Sequence, residues 1–209
     1  MNPTGVGDRP APRPRRGRPP STEVERAVFA EAIRLVGRND PASLTRLAIA
    51  EGAGVSRQTL YNRWPTTADI VLDALLDRAA GSIGDRRPAG ETGLDGLRAY
   101  LVELAGAVDG WARPGLRAVA AFAQLDDDFA RRFRRRFLAT RHRALTEAIA
   151  EAAPRLEPAP VTQAAELVAG SLWFRILVAD EPLDDRWVGQ MVALVATADG
   201  ARSSPESPM

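Results

Sequence analysis

Arg57, Gln58, Thr59, Tyr61, Asn62 and Arg63 fall within seven positions, interrupted only by Leu60. They follow Gly52-Ala53-Gly54, and a catalytic loop, a phosphate cradle or a DNA-reading helix can each place polar side chains behind such a Gly-x-Gly. The residue types suit the third well. Arg57 and Arg63 can donate to guanine or phosphate, and Gln58 and Asn62 have the amide geometry that adenine takes. Thr59 can meet a thymine methyl or a phosphate, and the Tyr61 phenol is long enough to reach the backbone. Other chemistries are thinly provided for. The chain has no cysteine, which excludes disulfides, Cys-ligated zinc and thiol catalysis, and its single histidine, His142, removes multi-histidine metal sites and most triads. There is no His-supported carboxylate pair, Gly-rich phosphate loop or Glu-x-x-His spacing among the 27 acidic residues, so neither an enzyme nor a cofactor is expected.

The elements around the polar cluster decide how it is presented. Thr22 to Glu25 has capping-box spacing, and Val24, Val28, Ala32, Ile33 and Val36 recur at helical intervals, which predicts a helix over 22–37 stopped by Gly37, Asn39, Asp40 and Pro41. Thr45 is an N-cap for a short second helix with Leu47, Ile49 and Ala50 turned inward, ending near Gly52. Ser56 caps a third, Arg57 to Trp64, which Pro65 closes. On that helix Leu60 and Trp64 share one face, leaving the polar set on the other. Two short helices joined by a tight Ala-Gly-Val turn, with Gly54 permitting the reversal, make a helix-turn-helix whose second helix enters a major groove.

"LTRLAIAEGAGVSRQTLYNRWP" (44–65) resembles the DNA-binding segment of the TetR family of transcriptional regulators. Thr45, Ile49-Ala50, Ala53-Gly54-Val55-Ser56 and Thr59-Leu60-Tyr61 with an aromatic at 64 all fall in register. The resemblance implies an all-α fold of about nine helices. It comprises a three-helix DNA-binding domain over 21–66, with Thr45, Arg46 and Ser56 joining the polar cluster at the DNA, and a helical bundle over 67–201 that dimerises and binds a small ligand. For such a ligand Trp111, Phe122, Phe133, Phe137, Trp173 and Arg175 are the candidate contacts, although an aromatic stripe such as Phe129, Phe133 and Phe137 also suits ordinary core. Arg175, which interrupts "LWFRILV", fits a structural ion pair better than an anionic ligand. In one respect the chain departs from the family: Thr67 stands where a phosphate-binding lysine is common, so one electrostatic contact is missing.

Charge is distributed unevenly. Residues 9–18 hold five arginines and no acid within a proline-rich stretch, so 1–20 reads as a disordered basic arm, with 202–209 a disordered tail. "RRGRPP" (15–20) resembles a minor-groove hook, which would bring Arg15, Arg16 and Arg18 to DNA, and it equally suits a solvated tail. "RRFRRR" (131–136) lies at helical spacing from Asp126, Asp127 and Asp128 and reads as a salt-bridged surface. The rest of the chain is helical: a fourth helix capped by Thr66 or Thr67, a break over 81–93, a fifth helix from Leu94 to Val108, and a sixth starting at Pro114. A long seventh carries Phe129 to Ala152, and the last two cover about 161–180 and 184–198. The helix over 161–180 is apolar on two faces, one with Val168, Leu172 and Ile176, the other with Leu167, Ser171, Phe174 and Leu177. Val168, Leu172, Ile176, Trp187, Met191 and Val195 are assigned to a two-fold four-helix interface, so the chain is expected to form a homodimer on an inverted repeat.

The expected function is therefore a cytoplasmic homodimeric regulator, a repressor released when a small molecule entering the bundle moves the fourth helix and changes the spacing of the two heads. The alternative is a ligand-independent or nonspecific, architectural DNA-binding protein that relies on its arm. Neither reading involves a membrane: no run approaches about 18 consecutive apolar residues.

Overall fold

A computed structural model describes residues 21–38, 43–80 and 92–201. The arm with Arg15, Arg16 and Arg18, the stop at Asn39, Asp40 and Pro41, nearly all of the break at 81–93 and the tail at 202–209 lie outside the described residues. Among these residues the chain is helical with no strand: α1 Ser21–Val36, α2 Arg46–Gly52, α3 Arg57–Arg63, α4 Thr67–Ala80, α5 Gly93–Ala107, α6 Arg113–Leu125, α7 Asp127–Phe133, α8 Ala139–Ala152, α9 Pro158–Phe174 and α10 Asp185–Ala201. Three π turns, Val108–Ala112, Arg134–Leu138 and Arg175–Ala179, join α5 to α6, join α7 to α8 and extend α9. Pro114 starts α6 as predicted, yet no break precedes it. Its missing N–H is accommodated by widening the preceding turn, where the Arg113 N–H donates to the Val108 carbonyl five residues back.

Two apolar cores share α4. Val28, Ala32 and Leu35 of α1 meet Ile49, Ala50, Leu60 and Trp64 in the smaller core, which Ile70 and Ala74 of α4 complete. Val71, Leu72 and Leu75 on the opposite side of α4 belong to the larger core, with Leu97 and Leu101 of α5, Val119 of α6, Phe129 of α7, Ile149 of α8 and Val168 of α9. A helix buried on both sides in this way cannot shift without disturbing both cores. α6 comes particularly close to α4: a Cβ on Gly115 would lie 2.8 Å from Leu75 Cδ2. Leu47, expected to point inward, is partly exposed instead. At about 100° per residue it sits some 200° around α2 from Ile49 and cannot share its face.

On α1, beside Gly52, Glu31 is nearly buried, and Arg34 donates to it through Nε (2.7 Å) and Nη2 (2.5 Å). This hydrogen bond holds the Glu31 carboxyl below its ordinary range, against the opposing effect of burial. A Cβ on Gly52 would crowd the Glu31 carboxyl, the end of a flexible side chain that would have to shift away from Arg34.

Candidate nucleic-acid interface and internal cavity

Local capping builds the polar face. Thr45 caps α2 by accepting from the Ala48 N–H (3.1 Å), and Ser56 caps α3 by accepting from the Thr59 N–H (3.1 Å) while its hydroxyl meets Thr59 Oγ1 at 2.8 Å. Between the helices Gly54 adopts φ +65°, a left-handed conformation that costs a side-chain-bearing residue strain, and the Val55 N–H closes the turn on the Ala50 carbonyl (3.0 Å). Leu60 and Trp64 then bury one side of α3; Trp64 donates through Nε1 to Asp73 Oδ2 (2.9 Å) and meets the Phe29 ring edge-on at 5.8 Å. Arg57, Gln58, Tyr61, Asn62 and Arg63 are exposed on the other side, with Thr59 half-buried at its edge.

The exposed side chains differ in how firmly they are held. The Arg46 guanidinium lies 3.9 Å from the centre of the Tyr61 ring and donates through Nη1 to the Pro65 carbonyl (3.0 Å), which fixes the phenol from below. Gln58 donates to Asn62 Oδ1 (2.7 Å), so the two amides stand as a pair one turn apart. Arg57 is held only loosely, 3.4 Å from Glu51. Arg63 is turned back toward α1, ion-paired with Glu25 and 5.2 Å from the Trp64 ring centre. Thr66, not Thr67, caps α4, accepting from the Asp69 N–H (3.1 Å), and Thr67 follows it half-buried as the first helical residue.

α4 carries this unit into the rest of the molecule through two ion pairs. Arg132 of α7 grips Asp69 through Nε (2.8 Å) and Nη2 (3.1 Å), and Arg136 reaches Asp73 at 2.7 Å. Both acids also serve the smaller unit, Asp69 accepting from the Thr66 hydroxyl (2.7 Å) and Asp73 from the Trp64 indole. "RRFRRR" is thus only in part the salt-bridged surface expected: Arg131 pairs with Asp128 three residues before it, whereas Arg132 and Arg136 cross to α4.

A cavity of about 370 Å³ opens between α4 and α9, with walls that are almost wholly apolar. Trp111, Phe137 and Trp173, three of the candidate contacts, line it. Phe122 and Phe133 do not: they pack behind the wall, Phe122 edge-on to Phe129 at 6.2 Å and Phe133 against Phe137 at 5.6 Å and Trp173 at 6.3 Å. Arg175 lies away from the cavity, donating to the Pro182 carbonyl (2.6 Å) and pairing with Glu181 (3.4 Å), which is the structural role anticipated for it. Its neighbours Arg113 and Arg117 donate to the Arg175 carbonyl (3.2 Å) and the Ile176 carbonyl (2.7 Å) in the same π turn. Sequence reasoning missed Tyr100, Arg141, His142 and Glu166, which also face the cavity. No motif marks them. Tyr100 is 6% exposed, no hydrogen bond reaches its hydroxyl among the described residues, and burial raises the pKa of its phenol despite the opposing pull of Arg141.

The residues assigned to a dimer interface need correction. Val168, Leu172, Ile176, Trp187 and Val195 are buried in the chain's own core, and Met191 is half-buried. Trp187 donates through Nε1 to Ser171 (2.9 Å), pinning α10 to α9 inside the protomer. The second face of α9 is the one left bare, with Leu167 54%, Phe174 56%, Leu177 47% and Val178 70% exposed. Helix Pro158–Ala179 is long and apolar enough to cross a membrane by length and composition alone, although its first face is occupied by the core. Two equivalent apolar stripes gave periodicity no means of choosing which one the protomer would keep.

Comparison with known proteins agrees with this architecture. The family "Bacterial regulatory proteins, tetR family" matches residues 28–74, and "Tetracyclin repressor-like, C-terminal domain" matches 91–195. The uncharacterized HTH-type transcriptional regulator YdeS of Bacillus subtilis (strain 168) is 25% identical over 198 residues, covering 92% of this chain and 98% of that protein. Among solved structures, the flavonoid-responsive regulator FrrA superposes with a TM-score of 0.59 at 20% identity, over 90% of this chain and 100% of its own. The TetR family repressor AlkX of Dietzia sp. strain DQ12-45-1b, implicated in biodegradation of n-alkanes, gives 0.53 at 22% identity, over 84% and 95%.

Proposed function

Because the chain belongs to the TetR family of transcriptional regulators, which are DNA-binding transcription factors and not enzymes, we propose that it is a homodimeric repressor of an inverted-repeat operator, released by a small apolar molecule. The observation that carries the reading is the face of α3, where Arg57, Gln58, Thr59, Tyr61 and Asn62 stand on a helix fixed from behind by Leu60 and Trp64. In this reading Tyr61, Thr59, Gln58, Asn62 and Arg57 enter the major groove, Thr45, Arg46 and Ser56 approach the phosphates, and Arg63 acts as a strut to α1. Thr67 supplies a hydrogen bond without a charge, and the arginines of the arm supply the compensating charge.

The head comprises 21–66 and the body 67–201, with α4 common to both. Release follows from that sharing. A molecule filling the cavity presses on Phe137, which lies in the same π turn as Arg136, and Arg136 and Arg132 hold α4 at Asp73 and Asp69. Displacing α4 swings each head and changes the separation of the two recognition helices. A preference of about 2 kcal/mol for the displaced state lowers operator affinity more than tenfold. One relative of this fold is described as flavonoid-responsive and another is implicated in n-alkane degradation, which supports an apolar effector.

In-vitro selection of random duplex DNA by the full chain at near-physiological salt tests the reading. Recovery of an inverted repeat is the expected result. Recovery of no motif, with binding that vanishes as salt rises and is abolished by deleting residues 1–20, would replace it with nonspecific, arm-driven binding.

A further inference from the structure

Taking the cavity as the effector site, a premise that rests on the reading above, we infer that it selects an uncharged aromatic molecule of about two or three rings carrying one oxygen that hydrogen-bonds to Tyr100. Size is the first argument. A cavity of about 370 Å³ stands at the low end of the range for small-molecule sites, roughly 300–1,000 Å³, and limits the ligand to a few rings' worth of volume.

The second argument is shape and surface. Trp111, Trp173, Phe137 and Tyr100 all contribute to the wall, and aromatic rings prefer offset or edge-on contact with other rings. The wall is also buttressed: Phe133 stacks behind Phe137, meets Trp173 edge-on, and lies parallel to Phe129 with an interplanar angle of 2°. A wall of stacked rings resists the reshaping that a flexible alkyl chain would require.

Charge is the third. Arg141 and Glu166 face the cavity with opposite signs, and the Arg141 guanidinium is already 5.7 Å from the Phe137 ring centre. An anionic or cationic ligand would therefore leave water without gaining a net countercharge, which is costly in an apolar site. An uncharged ligand avoids that cost. The Tyr100 hydroxyl can serve it: burial favours the protonated phenol, which can donate to a ligand oxygen, and among the described residues no group hydrogen-bonds to it. His142 also lines the cavity and can take a second polar atom where the ligand has one.

Calorimetric titration of the full-length protein with four probes, 4-phenylphenol, biphenyl, biphenyl-4-carboxylate and n-dodecane, tests the class. 4-Phenylphenol is expected to bind most tightly, about fivefold better than biphenyl, which lacks the oxygen, and at least about tenfold better than the carboxylate. Tyr100→Phe, which retains the ring, should abolish the difference between the phenol and biphenyl while leaving biphenyl affinity unchanged. Tighter binding of the carboxylate or dodecane, a phenol advantage that survives in Tyr100→Phe, or no binding by any probe would overturn the inference. Operator release by each bound probe is scored separately. Release by the carboxylate with no preference for the phenol sinks the class and keeps the regulatory reading, whereas phenol binding without release keeps the class and sinks that reading.

Discussion

Tyr61 illustrates how one exposed side chain acquires a defined position without burial. A free phenol on a seven-residue helix would sample several rotamers, and docking would have to order it, but Arg46 beneath the ring limits that freedom before DNA arrives. The arginine is itself anchored on the Pro65 carbonyl, so α2, α3 and the turn into α4 share one polar junction. Arg46→Ala is therefore expected to weaken operator binding about tenfold, a loss of ~1.4 kcal/mol, through both its own charge and the released Tyr61. In Tyr61→Ala the same Arg46 substitution should cost much less, because the ring that it positions has gone. Fluorescence anisotropy with a labelled operator across the four proteins measures this coupling, with circular dichroism confirming the fold; additive effects would show that Arg46 acts on phosphate alone. Much of this residue-level arrangement was legible in the sequence. Thr45 and Ser56 are caps because a hydroxyl just ahead of an apolar-periodic run has an orphan N–H within reach, and Gly54 occupies the position that needs positive φ. The Arg46–Tyr61 contact was not, since it depends on the angle between two helices, which no local pattern encodes.

At the scale of elements, α4 is where head and body meet, and its two carboxylates four residues apart face two arginines four residues apart on the α7–π segment. The matched spacing makes a ladder, each rung of which also holds a group of the head, Thr66 or Trp64. Asp69 is almost buried, its side chain 7% exposed, so the effect of losing its partner depends mainly on leaving a charge unpaired. Arg132→Met should destabilise the protein by roughly 3 kcal/mol in urea unfolding, and Asp69→Asn combined with Arg132→Met should recover most of that loss. Equal instability of the single and double variants would mean that the methylene packing of Arg132, and not the ion pair, is what matters. Sequence spacing linked "RRFRRR" to the aspartates just before it because those lie on the same helix. Arg132 and Arg136 instead pair across 63 residues, a choice made by tertiary packing. The π turns were equally hidden. They leave the apolar period nearly intact, yet two of them place Trp111 and Phe137 on the cavity wall.

For the whole molecule the open question of covalent sequence is which apolar surface remains when one chain has folded. α9 has two such faces, and the protomer consumes the one bearing Val168, Leu172 and Ile176 by packing it against its own α8 and α10. Leu167, Phe174, Leu177 and Val178 remain on the outside, on the same helix as the small exposed residue Gly170, which would allow a second copy to approach closely. In the proposed homodimer, covering this face with its two-fold mate would set the distance between the recognition helices, so assembly and operator recognition should fail together. Phe174→Asp places a charge in the centre of that contact. The variant is expected to sediment near the single-chain mass of 22.5 kDa, to keep its helical signal, and to lose operator affinity by at least a hundredfold, because each head then binds its half-site alone. Val168→Ala serves as the control for the face originally assigned: it should lower stability by about 1–2 kcal/mol through a core cavity and leave the assembly state unchanged. If Val168→Ala dissociated the protein and Phe174→Asp did not, the interface would have to lie elsewhere, and the operator half-site spacing would no longer be set by α9.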